Sequence, residues 1–171
     1  YELFQESDLE RSKNLGCNTF RMSIEWSRIE PQRGVFSAAA TAYYRAYLQK
    51  LRAKGMQPMV TLWHFTLPAW VQKPGCYYDI LGNKHDQMDQ SLKGWRNREV
   101  VEAFARFAAY CARNFGDLVD FWGTYNEPVS TTMIGYMAGY FPPGNILDWA
   151  GAKVAILNIA RGHNKAYDII K

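Results

Sequence analysis

The sharpest chemical combination in the chain is Phe121-Trp-Gly-Thr-Tyr-Asn-Glu-Pro128. Glu127 offers a carboxyl group. At the rim of an aromatic cavity, desolvation would raise its pKa and let it act as a general acid near neutral pH. Asn126 carries a donor and acceptors in one side chain, suited to gripping a substrate hydroxyl. Read alone, the pair also fits a loop-starting Asn beside a solvated Glu, because single short motifs are weak. His64 is a second candidate, either a ligand-binding ring or a hydrogen-bonded core imidazole. Arg21 lies between Phe20 and Met22 and should face opposite to them in a strand. If buried, it requires a carboxylate partner. Trp122 precedes Asn126 by four residues and should share its side of the strand, as pocket lining or as core. Trp26 and Trp63 carry the same two readings.

These side chains need elements to hold them, and the pattern supplies an alternation. A helix is expected over residues 6–15, stopped by Gly16. A strand follows over 19–26. Ser37 can cap a helix over 38–54, with Tyr43, Tyr47 and Leu51 on one stripe. Residues 59–64 read as a short strand buried on both faces. Residues 72–98 hold Gly, Pro, Asn and Lys without a period and read as a long loop, a class that is usually functional or mobile. A helix over 99–115 carries Val100, Phe104, Phe107, Cys111 and Phe115 on one stripe. A strand over 119–126 and a loop over 127–149 come next. The last helix spans about 151–170, with His163 on its apolar stripe and Asp148 placed as its cap or first-turn charge.

Strands joined by helices run parallel with right-handed crossovers. That leaves an α/β fold of two kinds, an open doubly wound sheet or a β/α barrel. No G-x-G-x-x-G or G-x-x-x-x-G-K turn is present, which argues against a nucleotide-binding sheet. The polar and aromatic candidates gather at the C-terminal strand ends instead, where barrels place their chemistry. The barrel is therefore favoured.

Composition narrows the function further. The 171 residues are 48% hydrophobic and 15% aromatic, which suits a packed core rather than disorder. A net charge of +4 comes from scattered basic residues, so no nucleic-acid partner is expected. No apolar run is long enough to span a bilayer, so no membrane partner is expected either. The three cysteines, Cys17, Cys76 and Cys111, are widely spaced and form no metal-ligand pattern. Reduced thiols and the absence of a basic-then-apolar leader lead to an expected cytoplasmic location.

Thr124-x-Asn126-Glu127-Pro128 resembles the acid/base signature of the family 1 glycoside hydrolases, the β-glucosidase and β-galactosidase family. Other blocks resemble the same family in the same order. They are Asn18-Thr-Phe-Arg-Met-Ser-Ile-Glu-Trp-Ser-Arg-Ile-Glu-Pro31, Gly55-Met-Gln-Pro-Met-Val-Thr-Leu-Trp-His-Phe-Thr-Leu-Pro68, Gly94-Trp95, and Gly135-Tyr136 with Gly139 and Pro142-Pro-Gly144. The resemblance implies a partial (β/α)8 TIM barrel, from about helix 1 through strand 4 and helix 4, with residues 1–171 as the N-terminal part of one incomplete barrel.

It also implies a retaining β-glycosidase that acts on terminal β-linked sugars with no cofactor and no metal. Glu127 matches the acid/base. Asn126 matches the residue that bonds the sugar 2-hydroxyl, and Arg21 matches the one that supports the nucleophile. His64 matches a ligand to the sugar hydroxyls. Phe65, Trp122 and Tyr136 are candidates for contact with the β-glycoside or oligosaccharide substrate. Many members have His-Trp-Asp where this chain has His64-Phe65-Thr66. Phe65 keeps a stacking face without the indole donor. Residues 76–92 are longer than the usual link.

Retaining hydrolysis needs a second carboxylate, and Glu127 is the last glutamate of the chain. Asp148 and Asp168 lie in or beside the last helix, and Glu25 is a poor substitute. The nucleophile, and the family's first strand with its sugar-binding Gln, are therefore expected outside these residues. The missing C-terminal half of the barrel would come in cis or in trans. The alternative is a catalytically silent carbohydrate-binding or interaction fragment of the same barrel.

Overall fold

The computed structural model describes residues 6–72 and 93–171. Of the loop expected over 72–98, residues 73–92, and with them all of the long segment 76–92, lie outside the described residues, while Gly94–Arg96 form a 3-10 turn. The element order is α1 (Glu6–Asn14), β1 (Thr19–Ser23), α2 (Trp26–Ile29), α3 (Ala38–Ala53), β2 (Gln57–Trp63), a 3-10 turn (Gly94–Arg96), α4 (Glu99–Phe115), β3 (Phe121–Tyr125), α5 (Pro128–Tyr136) and α6 (Trp149–Ile170). The three strands form one sheet in the order β1-β2-β3. Both pairings are parallel, with Arg21 beside Met59 and Thr61 beside Gly123.

The crossover helices follow the expected logic. Ser37 accepts a hydrogen bond from the Ala40 amide at 3.2 Å and so caps α3. α3 buries Tyr44, Tyr47, Leu48 and Leu51. α4 buries Val100, Phe104, Phe107, Cys111 and Phe115, the whole expected stripe. Met22, Val60 and Leu62 from the sheet, with Ile24 just past β1, join them in one core. Trp26 stacks on Phe107 with ring centroids 5.2 Å apart, so Trp26 belongs to this core. Trp63 is buried beside Trp95 and Tyr125, edge on to both. Tyr125 in turn stacks on Phe104 at 4.7 Å. Gly162 lets α6 come against this cluster, because a Cβ at that position would collide with the Tyr125 hydroxyl.

Two expected boundaries are corrected. The first strand does not run to Trp26 but ends at Ser23, because the Glu25 carboxylate caps α2 through the Ser27 amide. The segment 127–149 is not all loop. Pro128 opens α5 at the first helical turn, where its missing N–H costs nothing. Its Thr131 and Thr132 hydroxyls bond back to the carbonyls of Glu127 and Pro128.

Candidate active site

The site is built at the C-terminal ends of the three strands. Arg21 leaves β1 on the side opposite Met22. Its Nε donates to Thr61 Oγ1 on β2 at 3.3 Å, and its Nη2 donates to Asn126 Oδ1 just past β3 at 2.6 Å. One guanidinium thus ties all three strands together. Arg21 is exposed, so the condition that would demand a carboxylate partner is not met among the described residues, where its hydrogen bonds go to a hydroxyl and an amide.

Asn126 is 9% exposed, and its backbone N–H continues the sheet by donating to the Trp63 carbonyl at 2.9 Å. A guanidinium only donates, so the Asn126 amide oxygen must face Arg21 and its NH2 must turn away. Glu127 follows with φ 42° and ψ 58°, a left-handed conformation, and begins α5 as its N-cap. Such a non-glycine residue costs on the order of 1–3 kcal/mol and persists only where its surroundings impose it. Glu127 is expected at the rim of an aromatic cavity, and among the described residues its side chain is exposed.

A second left-handed residue sits at the end of β2. Phe65 has φ 76°, and the Thr66 amide donates to the His64 carbonyl at 3.0 Å across it. This is a γ-turn of the strained, positive-φ kind. The Phe65 ring meets His64 edge on at 4.8 Å and lies 5.6 Å from Phe141. His64 is exposed, and its Nδ1 is 3.0 Å from Ser23 Oγ. Thr66 Oγ1 donates to Glu25 Oε2 at 2.6 Å. Glu25 Oε1 accepts from the Ser27 hydroxyl and amide. Both oxygens of Glu25 are therefore engaged in holding backbone turns, which suits a structural carboxylate better than a nucleophile.

Arg21, Asn126, Glu127, His64 and Phe65 thus share one end of the sheet. Trp122 is placed elsewhere. Trp122 lines a groove of about 300 Å³ with Thr124, His163 and Tyr167, against α6. Thr124 and His163 Nδ1 are hydrogen-bonded there at 2.8 Å. The expected sharing of one side by Trp122 and Asn126 fails because β3 ends at Tyr125, and alternation stops with it. Tyr136 is buried on α5, where burial pushes its phenol well above the usual range. It lines a cavity of about 250 Å³ with Phe65, Thr66, Trp63 and Trp95, so it shares that space with two residues of the turn after β2. Thr61, Ser23 and Thr66 are site-building residues that the sequence did not single out. Their one legible signal is position, each within two residues of a candidate or in register beside one. No cluster of three or more His, Cys, Asp or Glu able to hold a metal occurs among the described residues.

A sequence model of glycosyl hydrolase family 1 matches residues 1–171. The chain belongs to that family. A β-galactosidase of Pyrococcus woesei is 36% identical over 204 residues, covering 100% of this chain and 38% of that protein. A coniferin β-glucosidase of Pinus contorta is 36% identical over 144 residues, covering 84% of this chain and 25% of that protein. Among solved structures, the family 1 β-glucosidase of Exiguobacterium antarcticum B7 superposes with a TM-score of 0.82 at 33% identity. That match covers 97% of this chain and 33% of the other. A β-glucosidase of Thermotoga maritima bound to glucoimidazole gives a TM-score of 0.80 at 32% identity, with 96% and 33% covered. The three-stranded α/β unit is thus part of a family 1 TIM barrel, and the chain spans about a third of the length of these solved relatives.

Proposed function

We propose that the chain supplies the acid/base half of a retaining β-glycosidase site, with residues 1–171 as the N-terminal part of one barrel. The observation that carries the reading is the Arg21–Asn126 bond, which fixes the amide directly before Glu127 at a strand end. In this reading a carboxylate from outside these residues attacks the anomeric carbon. Glu127 gives its proton to the glycosidic oxygen as the bond to the leaving group breaks. Glu127 then takes a proton from water, which releases the sugar from the nucleophile. Asn126 donates through its NH2 to the sugar 2-hydroxyl, a contact that strengthens in the transition state. His64 binds glycone hydroxyls, and Phe65 offers a stacking face. Arg21 adds positive charge beside the place where the nucleophile must remain ionised. Tyr136, which lines one cavity with Phe65, offers a further contact to the substrate, and Trp122 is not called on.

The test is Glu127→Gln in a polypeptide that completes the barrel. Losing general acid catalysis should lower kcat for cellobiose-like substrates by about 10²- to 10⁴-fold. Glycosides with strongly activated leaving groups should suffer least in the glycosylation step. Full-rate cleavage of cellobiose by the variant would overturn the assignment.

A further inference from the structure

The end of β1 grips the end of β2 at two points, one on each side of a strained residue. Ser23 Oγ meets His64 Nδ1 at 3.0 Å, and Glu25 Oε2 accepts from Thr66 Oγ1 at 2.6 Å. Between the two gripped residues stands Phe65 with φ 76°, in a γ-turn closed from the Thr66 amide to the His64 carbonyl. A phenylalanine does not hold that conformation unaided, because its Cβ crowds the backbone at positive φ. Something must over-determine it. Glu25 is itself anchored, its other oxygen bonded to Ser27 at the start of α2 and its backbone N–H donating to the Tyr44 hydroxyl. The grip therefore runs from the packed core, through Tyr44 and α2, to the turn.

We propose that Ser23 and Glu25 are positioning residues that clamp the His64-Phe65-Thr66 turn in its strained form, so that His64 Nε2 and the Phe65 ring are presented to the sugar. The spacing supports this. Residues 23 and 25 on one strand end match residues 64 and 66 on the next, and the residue skipped is the strained one. Binding Nδ1 to Ser23 leaves Nε2 as the nitrogen turned away from β1. The clamp itself stands on geometry alone; its catalytic consequence rests on the glycosidase reading.

Two arms test it, and they fail separately. In the 171-residue chain, the intraresidue amide–Hα cross-relaxation of Phe65 reports φ, because the two protons lie closest at positive φ. In Thr66→Val and in the Ser23→Ala/Thr66→Val double variant, that signal should fall roughly threefold as Phe65 returns to negative φ. Thr66→Ser, which keeps the hydroxyl, should restore it. An unchanged signal in the folded double variant overturns the clamp, whatever the activity. In the completed enzyme, Thr66→Val should lower kcat for a β-glucoside about tenfold with an unchanged urea midpoint, and Thr66→Ser should recover it. A relaxed turn with full kcat overturns the positioning role. A wild-type completed enzyme with no glycosidase activity faults the glycosidase reading instead and refutes the presentation to sugar, while the cross-relaxation arm still decides the clamp.

Discussion

Arg21 does two things that no single residue type other than arginine does well. Its fork reaches a hydroxyl on β2 and an amide beyond β3 from one position on β1. The amide bond matters most, because it decides which end of Asn126 faces a ligand. Arg21→Met should release that choice. A hydrogen bond to a charged group contributes about 1.5–3 kcal/mol, so kcat/KM of the completed enzyme for a β-glucoside should fall about 10- to 100-fold. The loss should be much smaller for the 2-deoxy glycoside, which lacks the hydroxyl that Asn126 would hold. An equal loss on both substrates would show that Arg21 does not work through Asn126. Asn126, Glu127, His64 and Arg21 were legible as types in sequence. Their partners were not, because a strand pattern gives faces but not register. The Arg21–Thr61 contact depends on a β1–β2 pairing 40 residues apart in sequence.

At the level of elements, the helices that carry stripes and caps were readable to within two residues. α4 runs over Glu99–Phe115 as its apolar period requires. α5 was not readable, because its Val, Thr, Thr and Gly are poor helix formers without a clear stripe, and Pro128 reads equally as a stop. The helix forms where Pro128 fixes the first turn and two threonines bond back along it. α6 starts on a clearer signal. Asp148 accepts from the Gly151 amide at 2.8 Å and from Asn145 Nδ2 at 2.7 Å. The Gly151 amide bond holds its carboxyl below the ordinary value of 3.8, with Asn145 and Arg96 adding to the effect. Because the folded-state pKa is the lower one, this stabilisation is full above the ordinary value and is lost as pH falls through the folded value. Asp148→Ala should therefore cost about 0.5–2 kcal/mol at pH 7 in urea unfolding. The gap to wild type should narrow below about pH 4. A gap that persists at low pH would mean that packing, not the charged cap, is what the substitution removes.

Across the whole molecule, two layers serve different ends. The core of aromatic and aliphatic side chains holds the sheet against α3 and α4, and the candidate chemistry stands at one end of the strands. Among the described residues, the large aromatics Trp26, Trp63, Trp95 and Phe104 all went to the first layer and are buried. The proposed half-site leads to a direct expectation. A 2-deoxy-2-fluoro glycoside that traps the covalent intermediate should leave the 171-residue chain unlabelled by mass spectrometry. In the completed enzyme the label should fall on a carboxylate outside residues 1–171. A label on Glu25 or any other residue of this chain would overturn the half-site reading.

The approach of α6 to Tyr125 carries a lesson for anyone seeking heat resistance in this fold. Exchanging a mid-helix glycine for alanine is a standard way to stiffen a helix, with a gain of roughly 1 kcal/mol. At Gly162 the added methyl would strike the Tyr125 hydroxyl, in a ring stacked on Phe104 and one residue before Asn126. A helix repair in the outer layer would thus be transmitted to the strand end that holds the catalytic candidates. Thermal engineering of α6 has to leave that position alone and work on its solvent-facing turns.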